Sequence, residues 1–208
     1  MELTTQVAAL GFHDDRVVVT LQDGRAMHYD RVVVTAPLPQ ALMLVPDKAR
    51  HMLDPSVLTR LLAVTYSRSV VVSLAVPLHQ QVIDAATLAQ NRFIGSLATR
   101  VGLHCQTWVA QLHPNHVDVA YEKTDTELVA AITAELAIDG ASFAPLEFHV
   151  HRWRYARVDN PLADACVAVG SKQQLIFAGD AFHAVVAPGT TDAAWMSGLA
   201  AAELVLTT

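Results

Sequence analysis

The run Arg31-Val32-Val33-Val34-Thr35 constrains this chain most. Side chains of a strand alternate between its two faces, so three consecutive valines are too apolar for a strand with one wetted side. The run predicts a strand buried on both faces. Ala36-Pro37-Leu38-Pro39 ends it, because proline cannot donate to a ladder and biases the preceding residue away from helix. A second short apolar run, Gln174 to Ala178, closes on Gly179-Asp180. Both runs lead into turns, and together they predict two strands of one sheet drawn from distant parts of the sequence.

Around these runs the pattern is mixed. Val17 to Leu21 is a β-branched strand closed by Gln22-Asp23-Gly24, a short-hairpin signal, and Ala26 to Tyr29 returns from it. From Gln40 to Tyr155, strands are predicted at Ser69 to Val76, Phe93 to Leu97, Thr107 to Leu112 and His149 to Tyr155. Asp54-Pro55 starts a helix with proline at its first position, leading into Leu58, Leu61 and Leu62. Thr124 to Leu136 is the clearest helix. It opens on a Thr124/Glu127 capping box and sets Leu128, Val129, Ile132 and Leu136 on one face. Strands with helices interspersed, and no regular β-α alternation, give an α+β fold with an antiparallel sheet.

Composition excludes several classes. Hydrophobic residues are 52% and charged residues 16% of 208, which rules out a disordered chain and allows one domain or two small ones. The net charge of −6, with no basic cluster, argues against nucleic acid and anionic membranes. No apolar run approaches the roughly 18 residues that span a bilayer. Met1 to Thr5 lacks the pattern of a secretory signal. Cys105 and Cys166 form no paired motif, and the expectation is a reduced, cytoplasmic protein.

The C-terminal part carries the chemistry. A strand ending in Gly179-Asp180 lets a ligand approach the backbone, with a carboxylate to accept hydrogen bonds from sugar-like hydroxyls. Thr190, Thr191 and Asp192 are N-cap residues for a helix from about Ala193 to Leu206, whose N-terminus presents N–H groups and partial positive charge. Ala194, Gly198 and Ala201 form a stripe of small residues predicted to pack against backbone, so that Gly198→Leu would overpack by about 1–3 kcal/mol. An ordinary strand-turn-helix with Asp180 as a turn residue is the plain alternative.

Other groupings carry less. His113-Pro114-Asn115-His116 and His149-Val150-His151 lack a third ligand at metal spacing, and no metal is expected. Cys105, in an apolar strand-like stretch, and Cys166 read as buried, inert thiols. No G-x-S-x-G elbow occurs. Trp108 and Trp153 fit a core as well as a cofactor-facing role.

Three segments, in order, resemble the renalase-like flavoproteins of the amine-oxidase superfamily. They are Tyr29 to Leu42, with its strand and proline-rich turn; His151-Arg152-Trp153-Arg154-Tyr155-Ala156; and Phe177-Ala178-Gly179-Asp180 followed by Asp192 to Ala202. The resemblance implies a partial FAD/NAD(P)-binding domain (1–40 and 156–208) with an antiparallel substrate domain (41–155). It implies FAD held by Gly179, Asp180, Thr191, Asp192 and Ala193, with Trp153 and Tyr155 on the substrate side. The implied activity is oxidation of a small reduced substrate, a dihydronicotinamide or an amine. The family's opening G-x-G-x-x-G turn is not among the nine glycines, and its Val-Glu-Gly stands here as Thr191-Asp192-Ala193. The chain alone is therefore expected to hold FAD weakly, to self-associate or to take a partner chain supplying the dinucleotide-binding half. A non-catalytic remnant or binding module is the reading from another class.

Overall fold

The computed structural model describes residues 4–81, 83–137, 143–183 and 189–207. Its first third holds strands β1 (Val7–His13), β2 (Arg16–Leu21), β3 (Ala26–Tyr29) and β4 (Val32–Val34), then helices α1 (Leu38–Met43), α2 (Asp47–Arg50) and α3 (Pro55–Leu62). The middle has β5 (Tyr66–Val76), α4 (Ala85–Gln90), β6 (Ile94–Val101), β7 (Gln106–Leu112), α5 (Pro114–Tyr121), α6 (Asp125–Glu135) and β8 (Glu147–Val158). The chain finishes with β9 (Val167–Val169), β10 (Leu175–Phe177) and α7 (Thr191–Leu206). It divides into two compact units, one of residues 1–66 and 157–208, the other of residues 67–156. The first crossing thus falls after Tyr66, not after residue 40, because α1 to α3 bury Leu38, Leu42, Leu53 and Leu61 in the core of the first unit.

In that first unit β1, β2 and β3 form an antiparallel meander, and β4, β10 and β9 form a second sheet in which β10 runs parallel to β4. The two valine- and leucine-rich runs therefore do share a sheet. Arg31 fixes their register by donating to the Gln173 carbonyl at 2.9 Å, 142 residues along the chain. β4 is the edge strand of this sheet, and Val33 is 39% exposed, so burial on both faces does not hold here. β1 escapes sequence reading because Ala8, Ala9 and Gly11 weaken its β-pattern. The turn at Pro37 is also a helix start, since proline suits the first positions of α1. Arg50 then donates to the Leu42 and Val45 carbonyls at 3.0 Å, which anchors the far end of that short helix.

In the second unit the sheet order is β6-β7-β5-β8. One face is covered, with Val70, Val72, Leu74, Trp108 and Ala110 packed against Val117, Leu128, Val129 and Ile132 of α5 and α6. Trp108 is therefore a core residue, its indole N–H donating to Gln106 at 3.2 Å. The Thr124/Glu127 capping box is formed as expected. Cys105 lies in the turn between β6 and β7, not in a strand, and both cysteines are free and only half-buried.

Candidate functional site

The strand β10 ends in the backbone that matters. Gly179 follows at φ +141°, a conformation side chains rarely adopt, and a Cβ there would face the Thr35 carbonyl at 3.6 Å. Its N–H donates to Ser197 Oγ at 3.0 Å, and Ser197 is fully buried on α7. That bond ties the strand end to the helix. Ala178 donates to the Val34 carbonyl at 3.0 Å, which brings the end of β4 to the same place. Between them lies a cleft of about 450 Å³ lined by Thr35, Gly179, Asp180, Thr191, Ala194 and Gly198.

The helix face differs from the expected one. Ala193, Ser197 and Ala201 are buried, while Ala194 is half-buried and Gly198 is exposed. A Cβ at Gly198 meets nothing within 4 Å, so overpacking by a larger residue there is overturned. The stripe is rotated because the hydroxyl of Ser197 serves the Gly179 N–H. Gly198 instead keeps the cleft wall free of side chain.

Of the residues singled out from sequence, Gly179, Asp180 and Thr191 meet at the cleft. Asp192 is exposed in the first turn of α7, outside the lining. Ala193 is buried, and its N–H is taken by the Thr190 hydroxyl cap at 3.3 Å. Trp153, 51% exposed, and the half-buried Tyr155 lie two residues apart on β8 in the other unit. Trp153 packs on His151 with ring centroids 4.1 Å apart. The stretch Ala181 to Gly189, a poor fit to the glycine-rich turn that the resemblance implies, includes residues 184–188, which lie outside the described residues. Among the described residues no group of three or more His, Cys, Asp or Glu could hold a metal ion, and no helix is long and apolar enough to cross a membrane.

Sequence reading missed Tyr66, Ser197 and Thr35. A buried serine on a small-residue helix could have been flagged, but nothing local marks Tyr66. Its hydroxyl accepts from the Leu38 N–H at 3.3 Å. Burial, above all, pushes the Tyr66 phenol up to about 12. Burial also leads in raising the Asp180 carboxyl above the usual range, opposed by its own N–H, the Tyr66 hydroxyl and the Ala181 N–H.

A flavin's ring and ribityl end fit this arrangement. Gly179 and Gly198 would leave room for a flat ring, the Asp180 carboxylate could accept from hydroxyls, and the N-terminus of α7 would favour negative charge. A dinucleotide's pyrophosphate has no G-x-G-x-x-G cradle in these 208 residues.

One unit with a parallel strand pair closing on a Gly-Asp turn, and another built on an antiparallel sheet, make a mixed α/β architecture that matches a portion of the FAD-dependent amine oxidase fold. A single-substitution variant of putrescine oxidase superposes on 98% of this chain, and 49% of its own, at 13% identity and TM-score 0.68. Cyclohexylamine oxidase from Brevibacterium oxydans IH-35A gives 96%, 48%, 12% and 0.61. A protein from Exiguobacterium sp. 255-15, provisionally assigned as a protoporphyrinogen oxidase, gives 97%, 46%, 16% and 0.64. The chain thus spans about half the length of these relatives. No curated protein matches it in sequence. The family profile of flavin containing amine oxidoreductases matches residues 1–206, and the chain belongs to that family.

Proposed function

We propose that this chain is the half of an FAD-dependent oxidoreductase, of the renalase and amine-oxidase type, that holds the flavin ring and the substrate. The observation that carries the reading is the cleft at the end of β10, where Gly179, Asp180 and Thr191 converge. When bound, the flavin supplies the redox chemistry by accepting hydride from a small reduced substrate, a dihydronicotinamide or an amine. Asp180 grips the ribityl hydroxyls, the first turn of α7 faces the pyrimidine end, and Gly198 leaves the wall open. Residues 1–66 with 157–208 serve the cofactor and residues 67–156 the substrate, with Trp153 and Tyr155 on the substrate side. The pyrophosphate is held by sequence outside these 208 residues, in the same polypeptide or in a partner chain.

Titrating micromolar flavin with the purified chain, followed by flavin fluorescence, tests the assignment. The cleft engages only ring and ribityl chain, through charge-assisted bonds of about 1.5–3 kcal/mol each, less the cost of ordering the ligand. Riboflavin and FAD should therefore bind weakly and within about three-fold of one another. Submicromolar, stoichiometric FAD binding would overturn the account of the missing contacts. No binding of either flavin would leave the non-catalytic binding module as the better reading.

A further inference from the structure

We propose that the first unit holds a second binding cleft, built for a small monocarboxylate with a flat or apolar body; nothing in it depends on the flavin reading. The cleft, of about 620 Å³, lies against Arg31, Gln174, His28, Tyr29 and Val205. Arg31 precedes β4 and Gln174 precedes β10, whereas the cleft at Gly179 follows both strands. Because β4 and β10 run parallel, the two clefts sit at opposite ends of the pair.

Two donors define it. Arg31 Nη1 donates to the Gln173 and Lys172 carbonyls at 2.9 and 3.4 Å, which fixes the guanidinium. Its Nε–Nη2 edge has no partner among the described residues, where Arg31 belongs to no ion pair. That edge presents two parallel N–H groups, the arrangement that a carboxylate bridges. The second donor is Gln174, only 2% exposed although it lines the cleft. The Lys172 N–H donates to its Oε1 at 3.1 Å, which settles the orientation of the carboxamide, since the amide nitrogen cannot accept. Gly170, at φ +91°, makes room for that oxygen, and a Cβ there would collide with it. The Nε2 at the other side of the carboxamide has no partner among the described residues and is not sealed from solvent. A nearly buried amide with an open donor is stabilised by an acceptor that enters the cleft.

Charge decides the class of ligand. The other ionic groups of the lining cancel, with Arg16 on Asp30 at 2.9 Å and Lys172 on Asp15 at 2.7 Å. Arg31 is left as an unpaired cation beside a neutral amide donor. One negative charge matches that pair. A phosphate dianion would bring a second charge towards the Asp15 and Asp30 carboxylates with no further cation to meet it. The exposed side chains of Tyr29 and Val205 offer apolar surface for the body of the ligand.

The side-chain amide signals of Gln174 in nitrogen–proton NMR report the contact directly. Benzoate is the probe, benzamide its uncharged counterpart and inorganic phosphate the competing anion. Benzoate should shift those signals saturably at millimolar concentration, and benzamide and phosphate should each bind at least about ten-fold more weakly. Gln174→Glu keeps the acceptor for the Lys172 N–H but replaces the donor by a negative charge. Read from the backbone amides of Tyr29 and Arg31, it should weaken benzoate by about ten-fold or more. Arg31→Lys keeps the charge without the paired N–H edge, and a loss of similar size is expected. The comparison of probes on the wild-type chain needs no variant, so it decides the matter even if a substitution fails to fold. Absence of a saturable benzoate shift at Gln174, benzamide or phosphate binding as tightly as benzoate, or a folded Gln174→Glu chain with unchanged affinity would overturn the proposal.

Discussion

At the scale of single residues, the site depends on glycines with opposite duties. Gly179 is required by its backbone, at φ +141° beside the Thr35 carbonyl, and Gly198 by the space it leaves. Gly198→Leu should leave the melting temperature level or slightly raised, since leucine favours helix over glycine by up to about 1 kcal/mol. The same change should abolish flavin binding by filling the cleft, which calorimetry and fluorescence titration together would show. A loss of stability exceeding that figure would mean that the wall is packed after all. Asp180 also gives a pH effect of known sign. Its folded pKa is raised, so its contribution to stability is complete below the unfolded value near 3.8 and is lost as pH rises through the folded one. The sequence shows Gly179 and Asp180 because a strand ending in that pair is a local pattern. Tyr66 is invisible there, because its bond to the Leu38 N–H arises only when the start of β5 folds onto the start of α1.

At the scale of elements, caps were the most readable signals. Asp54 accepts from the Ser56 N–H at 2.7 Å at the head of α3, and Thr124 with Glu127 closes the head of α6. These bonds need only neighbours in sequence, so no tertiary context can hide them. Thr124→Ala should destabilise the second unit by about 1 kcal/mol, read from denaturant midpoints, and an unchanged midpoint would make the box decorative. The Glu127 carboxyl, held low by the Thr124 N–H and hydroxyl, adds stability present above its unfolded value and lost as pH falls through the folded one. Part of that acid sensitivity should disappear with the cap. Faces were harder to read than caps. In α7 both possible stripes consist of small residues, and the choice is made by the Ser197–Gly179 bond, a partnership between distant segments. Val33 is misread for a related reason, since a triple valine suggests two buried faces but does not show whether anything covers the second.

At the scale of the whole molecule, a mixed α/β fold with antiparallel sheets was legible in the order of patterns, while the place where the chain leaves its first unit was not. Three short helices after β4 join the first unit, and nothing in their composition marks them as its own. The first unit also carries Trp195, Leu199 and Leu206 along one side of α7, with Trp195 69% and Leu206 84% exposed. Such a stripe favours contact with another apolar surface. Sedimentation should show association that grows with concentration and falls away in a Trp195→Ser, Leu199→Ser variant; equal behaviour of the two proteins would count against the stripe. The parallel pairing of β4 with β10 also has a bearing on how the chain is made. At a synthesis rate of about 5–20 residues per second, β4 leaves the ribosome roughly ten seconds ahead of its partner. All of residues 67–156 emerge during that wait and have time to fold by themselves. The sheet of the first unit thus closes only after that interval, with the valine-rich edge of β4 left open until β10 arrives.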